Sequence, residues 1–142
     1  MTRQDTSLAL AQVLSQAERS VVRRLTALAE AHGSTIEQWR VLVLLADGKG
    51  HPMKEIADFV LVPSPTLTRI IDRMIADNLV YRRVDPADRR RVLIFCSARG
   101  RRLHAKLRRE IERYESALAA ADSSLDLQRL TSLLAQLIEN VD

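Results

Sequence analysis

Between Met53 and Cys96 the apolar residues change their period once, and that change limits the folds open to this chain. Leu67, Ile70, Ile71, Met74 and Ile75 recur at three and four, the spacing of one helix face. From Val80 the period is two: Val80, Arg82 and Val84 alternate with Tyr81 and Arg83, and Val92-Leu93-Ile94-Phe95-Cys96 follows as a second strand-like run. Asp85-Pro86-Ala87-Asp88 between them is turn chemistry. A two-stranded hairpin is marginal alone in water and must lean on helices. The expected fold is mainly α with one small β-hairpin.

The rest of the chain reads as helix. Leu10, Leu14, Ala17, Val21, Leu25 and Leu28 form one stripe of a helix over Thr6–His32, closed by Gly33. Thr35 and Gln38 form a possible capping box for a second helix ending near Asp47-Gly48. That helix is apolar nearly all round, so it belongs at the centre of the fold. A short helix from about Met53 to Phe59 follows, and Leu61-Val62-Pro63 cannot continue it. Ser64 is a good N-cap and Pro65 suits the first helical position, so the next helix runs from there to about Asp77, with Asn78 as its left-handed terminator. After the hairpin, Ser97 caps a long helix with the stripe Leu103, Leu107, Ile111, Tyr114 and Leu118. Ser123 or Ser124 caps a last one with Leu127, Leu130, Leu134, Leu137 and Val141.

Apolar residues make up 46% of the 142, enough for one real core. No apolar run is long enough to span a bilayer, and the polar N-terminus lacks a secretory h-region. A single cysteine, Cys96, rules out an internal disulfide framework and fits a reducing compartment, so a cytoplasmic protein is expected. The net charge of +4 is unevenly placed. Arg82 to Arg113 holds 12 of the 22 basic residues and only 4 of the 18 acidic ones, which leaves the remainder net acidic. Positive charge gathered in one stretch points to a polyanion, although an Arg-rich solvated helix has the same composition.

A short helix, a tight turn, a second helix and then a hairpin are the parts of a winged helix-turn-helix. That unit places the second helix in the major groove of double-stranded DNA, N-terminal end first. Ser64, Pro65, Thr66, Thr68, Arg69 and Arg73 would face the DNA, with Thr66, Arg69 and Arg73 on the side opposite Leu67, Ile70 and Ile71. Hydroxyls and N–H groups at a helix N-terminus bind phosphate, and an Arg one or two turns in can read guanine. Arg89, Arg90 and Arg91 at the hairpin turn suit the adjacent minor groove, with Asp88 bracing the Arg90 guanidinium.

At these residues the chain closely resembles the multiple antibiotic resistance regulator (MarR) family. The resemblance rests on Val62-Pro63-Ser64-Pro65-Thr66-Leu67-Thr68-Arg69-Ile70-Ile71-Asp72-Arg73-Met74, on Asp77-Asn78-Leu79-Val80, on Asp85-Pro86-Ala87-Asp88-Arg89-Arg90-Arg91-Val92 and on Ser97-Ala98-Arg99-Gly100. The helix order matches over essentially the whole chain. The resemblance implies a homodimeric transcription regulator, often a repressor released by a small anionic or phenolic effector, with the first and last two helices forming the dimer interface. Its domain plan would be one domain over 1–142, with a DNA-binding lobe at 35–96 and dimerisation helices at 6–32 and 98–141. Two departures stand out: Pro63 and Pro65 bracket Ser64, and Asn78 stands where the family often has glycine.

Other residues point to no chemistry. Cys96 lies in a strand and reads as a small buried apolar residue. His32, His51 and His104 lack metal-ligand spacing, so no metal is called for. Trp39 reads as core, with a role in lining an effector cavity open to it. No phosphate loop, catalytic triad or carboxylate pair marks an enzyme, and no cofactor is expected. Two other function classes share these features. An architectural DNA binder would use the same basic face with little sequence preference. An interaction protein that has lost DNA binding would use the apolar stripes for a partner.

Overall fold

The computed structural model describes residues 2–141. Along them run α1 (Arg3–Glu30), α2 (Ile36–Leu45), β1 (His51–Pro52), α3 (Met53–Val60), α4 (Ser64–Ala76), β2 (Val80–Val84), β3 (Val92–Cys96), α5 (Ala98–Ala121) and α6 (Leu127–Val141). Two compact units result, Met1–Leu107 and Arg108–Asp142, and α5 runs from the first into the second. Among the described residues, no helix is long and apolar enough to cross a membrane.

In the first unit the core lies where the sequence period places it. Val41, Leu42 and Leu45 from α2 meet Ile56 and Val60 from α3, Leu67, Ile71 and Met74 from α4, and Val80, Ile94 and Cys96 from the sheet. Cys96 is buried, and burial pushes its thiol above the ordinary value, which keeps it protonated and inert. Trp39 is only half-buried, because its ring stacks on His104 of α5 at 4.9 Å and 13° instead of entering this cluster.

The caps show which local signals carried weight. Thr35 caps α2 by accepting from the Gln38 N–H at 3.1 Å. The Gln38 side chain does not complete a capping box; it accepts from the buried Ser34 hydroxyl at 3.0 Å. The helix of the expected DNA-reading face starts one residue earlier than expected. Pro63, extended at φ −63° and ψ 151°, occupies the N-cap, so Ser64 is already helical and caps nothing. Asn78 terminates the helix at φ 58° as expected, whereas Leu61, which ends α3 at φ 64°, carried no warning. A left-handed leucine is costly, by roughly 1–2 kcal/mol, and here it lets the chain turn from α3 to α4 within three residues.

The hairpin is part of a three-stranded antiparallel sheet in the order β1-β3-β2. Val80 to Val84 pair with Cys96 to Val92 as the alternation required. The third strand is only His51-Pro52, paired with Ile94 and Leu93. It is held by a clamp: the buried His51 ring bonds Glu55 through Nδ1 at 2.6 Å and Asp47 through Nε2 at 2.8 Å. With a carboxylate on each nitrogen, the ring satisfies both only as the imidazolium. Burial opposes that charge, but the bonds and charges of Glu55 and Asp47 outweigh it and hold the ring's pKa above its ordinary 6.5. Asp47, whose burial is outweighed by the Lys49 N–H and His51, is held below its ordinary 3.8.

These directions fix the pH response. Since the folded histidine value is raised, the clamp's stabilisation is fully present below about pH 6.5 and is lost as pH rises through the raised value. Since the Asp47 value is depressed, its contribution is present above pH 3.8 and is lost as pH falls through the lowered value. Urea unfolding on either side of the histidine transition should show wild-type stability falling at alkaline pH by about 1 kcal/mol. His51→Gln should abolish that slope, and equal slopes in the two proteins would refute the clamp.

One joint connects the sheet to α5. The Ser97 N–H donates to the Leu79 carbonyl at 3.0 Å, and its hydroxyl donates to the Asn78 carbonyl at 2.5 Å. The same hydroxyl accepts the Gly100 N–H at 3.0 Å, capping α5 as its position predicts. Gly100 packs so closely that a Cβ would lie 2.2 Å from the Leu79 carbonyl oxygen.

The second unit holds the remainder of α5 and α6. Asp126 caps α6 by accepting from the Arg129 N–H at 3.0 Å; the serines expected there do not, and Ser124 instead donates to Asp122. The carboxylate wins because it sits three residues before the orphan N–H and carries a full charge. No described residue of α6 is buried within the chain.

Candidate nucleic-acid interface

The site begins with what α4 leaves outside the core. Leu67, Ile71 and Met74 face inward, so Ser64, Pro65, Thr68, Arg69 and Arg73 are exposed and Thr66 half-buried. The Thr68 hydroxyl donates to the Ser64 carbonyl at 3.0 Å, leaving its lone pairs outward. Arg73 donates through Nε to Asp77 at 3.2 Å, which fixes the stem while both terminal amino groups stay outside that bond. Arg69 forms no ion pair among the described residues.

Ile70 is not opposite Thr66, Arg69 and Arg73 as expected. It is half-buried beside them, forming with Val62 the floor of a groove of about 350 Å³ whose other wall is Thr35, Glu37 and Gln38 at the start of α2. The face that presents the two arginines is therefore concave and partly apolar.

The wing supplies the second cationic element. Its turn is closed by the Asp85 N–H to the Arg91 carbonyl at 2.8 Å and the Arg91 N–H to the Asp88 carbonyl at 2.9 Å. Asp88 braces the turn through the backbone, not through the Arg90 guanidinium as expected: its carboxylate accepts the Arg90 N–H at 3.0 Å. Asp85 does the same for the Ala87 N–H at 2.9 Å. An aspartate two residues before a free N–H closes this short ring more readily than it reaches a flexible guanidinium. The exposed Arg89, Arg90 and Arg91 consequently carry no ion pair among the described residues.

Sequence reasoning missed the link between helix and wing. Arg82 of β2 forms an ion pair with Asp72 of α4, so the two cationic elements are tied side chain to side chain. The strand alternation contained the signal, since it sends Arg82 to the Val80 face, which packs on the helices, and Arg83 to the other. On that other face the Tyr81 ring stacks on Phe95 at 5.5 Å, and the Arg83 guanidinium lies 5.3 Å from the Tyr81 ring centre.

Known proteins share this fold. The MarR family model matches residues 34–92, which hold α2, α3, α4 and the wing as far as the start of β3. The Escherichia coli homoprotocatechuate degradative operon repressor is 28% identical over 125 residues, covering 88% of this chain and 84% of that protein. The crystal structure of a MarR family transcriptional regulator from Silicibacter pomeroyi DSS-3 superposes with a TM-score of 0.81 at 27% identity, covering 94% of this chain and 95% of that one. That of NadR in complex with 4-hydroxyphenylacetate gives 0.78 at 26% identity, covering 90% and 91%. With a match over the helix-turn-helix and wing, and likeness of fold along nearly the entire length, the chain is similar to the MarR family of transcriptional regulators.

Proposed function

We propose that this protein is a homodimeric, sequence-specific DNA-binding regulator that represses from an inverted-repeat operator. The observation that carries the reading is the Arg82–Asp72 tie, which couples the face of half-buried Thr66 and exposed Arg69 and Arg73 to a wing bearing Arg89, Arg90 and Arg91. Two cationic elements held in fixed relation suit adjacent major and minor grooves, whereas an unspecific cationic surface needs no such register.

In this reading Arg69 or Arg73 reads a guanine edge, Ser64, Pro65, Thr66 and Thr68 approach the phosphates, and the wing arginines occupy the minor groove. A small phenolic anion relieves repression; the 4-hydroxyphenylacetate bound by NadR supports this class of effector. Dimerisation covers the apolar side chains that α1 and α6 leave exposed, among them Leu8, Val13, Leu133 and Ile138.

Footprinting on the DNA upstream of its own gene should give a discrete protected inverted repeat. Alanine at the base-reading arginine should cost roughly 1–3 kcal/mol and relax preference at one position per half-site. Arg90→Ala should instead weaken all sequences evenly and flatten the salt dependence. An Arg90→Ala protein with unchanged affinity and salt slope would remove the wing from the interface.

A further inference from the structure

The outer face of the sheet carries a stack whose last member is a cation. Gly50 lies against the Phe95 ring so closely that a Cβ there would come within 2.4 Å of it. Phe95 supports Tyr81, and Tyr81 supports Arg83. Arg82, next door, is committed to Asp72 on the opposite face. Arg83 is exposed and has no ion pair among the described residues. A contact with an aromatic face orients a guanidinium without neutralising it, as a carboxylate would. The result is an oriented charge two residues before Asp85, where the wing turn begins.

A wing tip in the minor groove has a phosphate strand on either side. The sheet face bearing Arg82 is the one turned to α4, so the face bearing Arg83 looks toward the other strand. We infer that Arg83, positioned by Tyr81 and Phe95, grips backbone phosphate on the outer wall of that groove, beyond the base pairs reached by α4. The inference rests on the DNA-binding reading above. An arginine suits this role because its planar fork pairs with two phosphate oxygens at once.

The test uses the full-length protein and the duplex protected in footprinting, with binding followed by fluorescence anisotropy over a salt series. Arg83→Gln should weaken binding to every sequence several-fold and reduce the slope of log K against log salt by about 0.9 per protomer, or roughly 2 per dimer. Arg83→Lys should restore the slope. Tyr81→Leu, which keeps the charge but removes its platform, should lose part of the affinity. A duplex shortened to end inside the wing should bind wild type and Arg83→Gln alike. If Arg83→Gln leaves the slope unchanged while Arg90→Ala reduces it, the inference fails and the DNA-binding reading stands. If neither changes the slope, the reading itself fails. A lower unfolding midpoint of the free protein with an intact slope would make Arg83 a strut of the hairpin and nothing more. An equal loss on the shortened duplex would place the contact elsewhere and overturn the outer-wall assignment.

Discussion

Inserting about five base pairs at the centre of the operator should weaken binding by about a thousandfold or more, to the level of unspecific DNA. The size of the effect follows from geometry. A two-fold dimer presents two copies of α4 to one face of the duplex, so half-site centres lie about one helical turn apart, near 34–36 Å. Adding the base pairs spanned by each helix and wing gives an imperfect inverted repeat on the order of 16–24 bp. Half a turn of extra duplex rotates one half-site to the far side, beyond any reach of α4. The Arg82–Asp72 pair would add to the penalty by tying the wing to α4, although an exposed ion pair contributes at most about 1 kcal/mol. Gel-shift titration of the two duplexes decides the matter. Comparable affinities would mean that the protein does not read DNA as a fixed dimer, and an architectural role would then account for its basic face.

Larger still in free energy should be the effect of Leu130→Asp combined with Leu134→Asp. Leu130 is 45% exposed in the single chain, and α6 has no buried residue among those described. Leu127, Leu134 and Leu137 are only half-buried within the chain, and a helix with such a stripe gains most of its stability when a partner buries it. Obligate homodimer interfaces commonly bury more than about 2,000 Å². Two substitutions per protomer are four per dimer, and at about 1.5 kcal/mol for each leucine returned to water the dimer loses roughly 6 kcal/mol before any cost of burying carboxylates. Sedimentation should show the wild type as a stable dimer at micromolar concentration and the double variant as a monomer or an unfolded chain. Arg129→Asp, off that stripe, is the control for charge alone. A monomeric wild type would overturn the assignment of the terminal helices to dimerisation.

Where the sequence could be read, one physical rule dominated its neighbourhood. The hairpin register was fixed by alternation because a slip of one residue would expose Ile94 and bury Arg83. Asn78 was readable as a left-handed terminator because asparagine tolerates that conformation; Leu61 was not, because leucine adopts it only where packing enforces it. The start of α4 was displaced by one residue because N-cap preference favours Ser64, while Pro63 already holds the extended backbone that an N-cap needs. β1 escaped notice since two residues carry no period. At the candidate interface the exposed arginines of α4 and the wing could be placed from spacing alone. Their partners could not: the Asp72–Arg82 pair, the Asp88 bond to the Arg90 backbone and the Tyr81 platform all depend on how two elements meet, or on competition between local rings.

The joint at Ser97 has a mechanical consequence. Its hydroxyl holds the end of the α4 segment at Asn78 and the first turn of α5 at Gly100, and the Leu79 carbonyl leaves no space for a side chain at position 100. Such a joint is an elbow without play. The first turn of α5 cannot roll or slide without dragging Leu79, and Leu79 is the last residue before the strand that carries the wing. The attitude of the wing is therefore geared to the entry of α5, so a displacement there is passed through Leu79 to the strand that carries the wing.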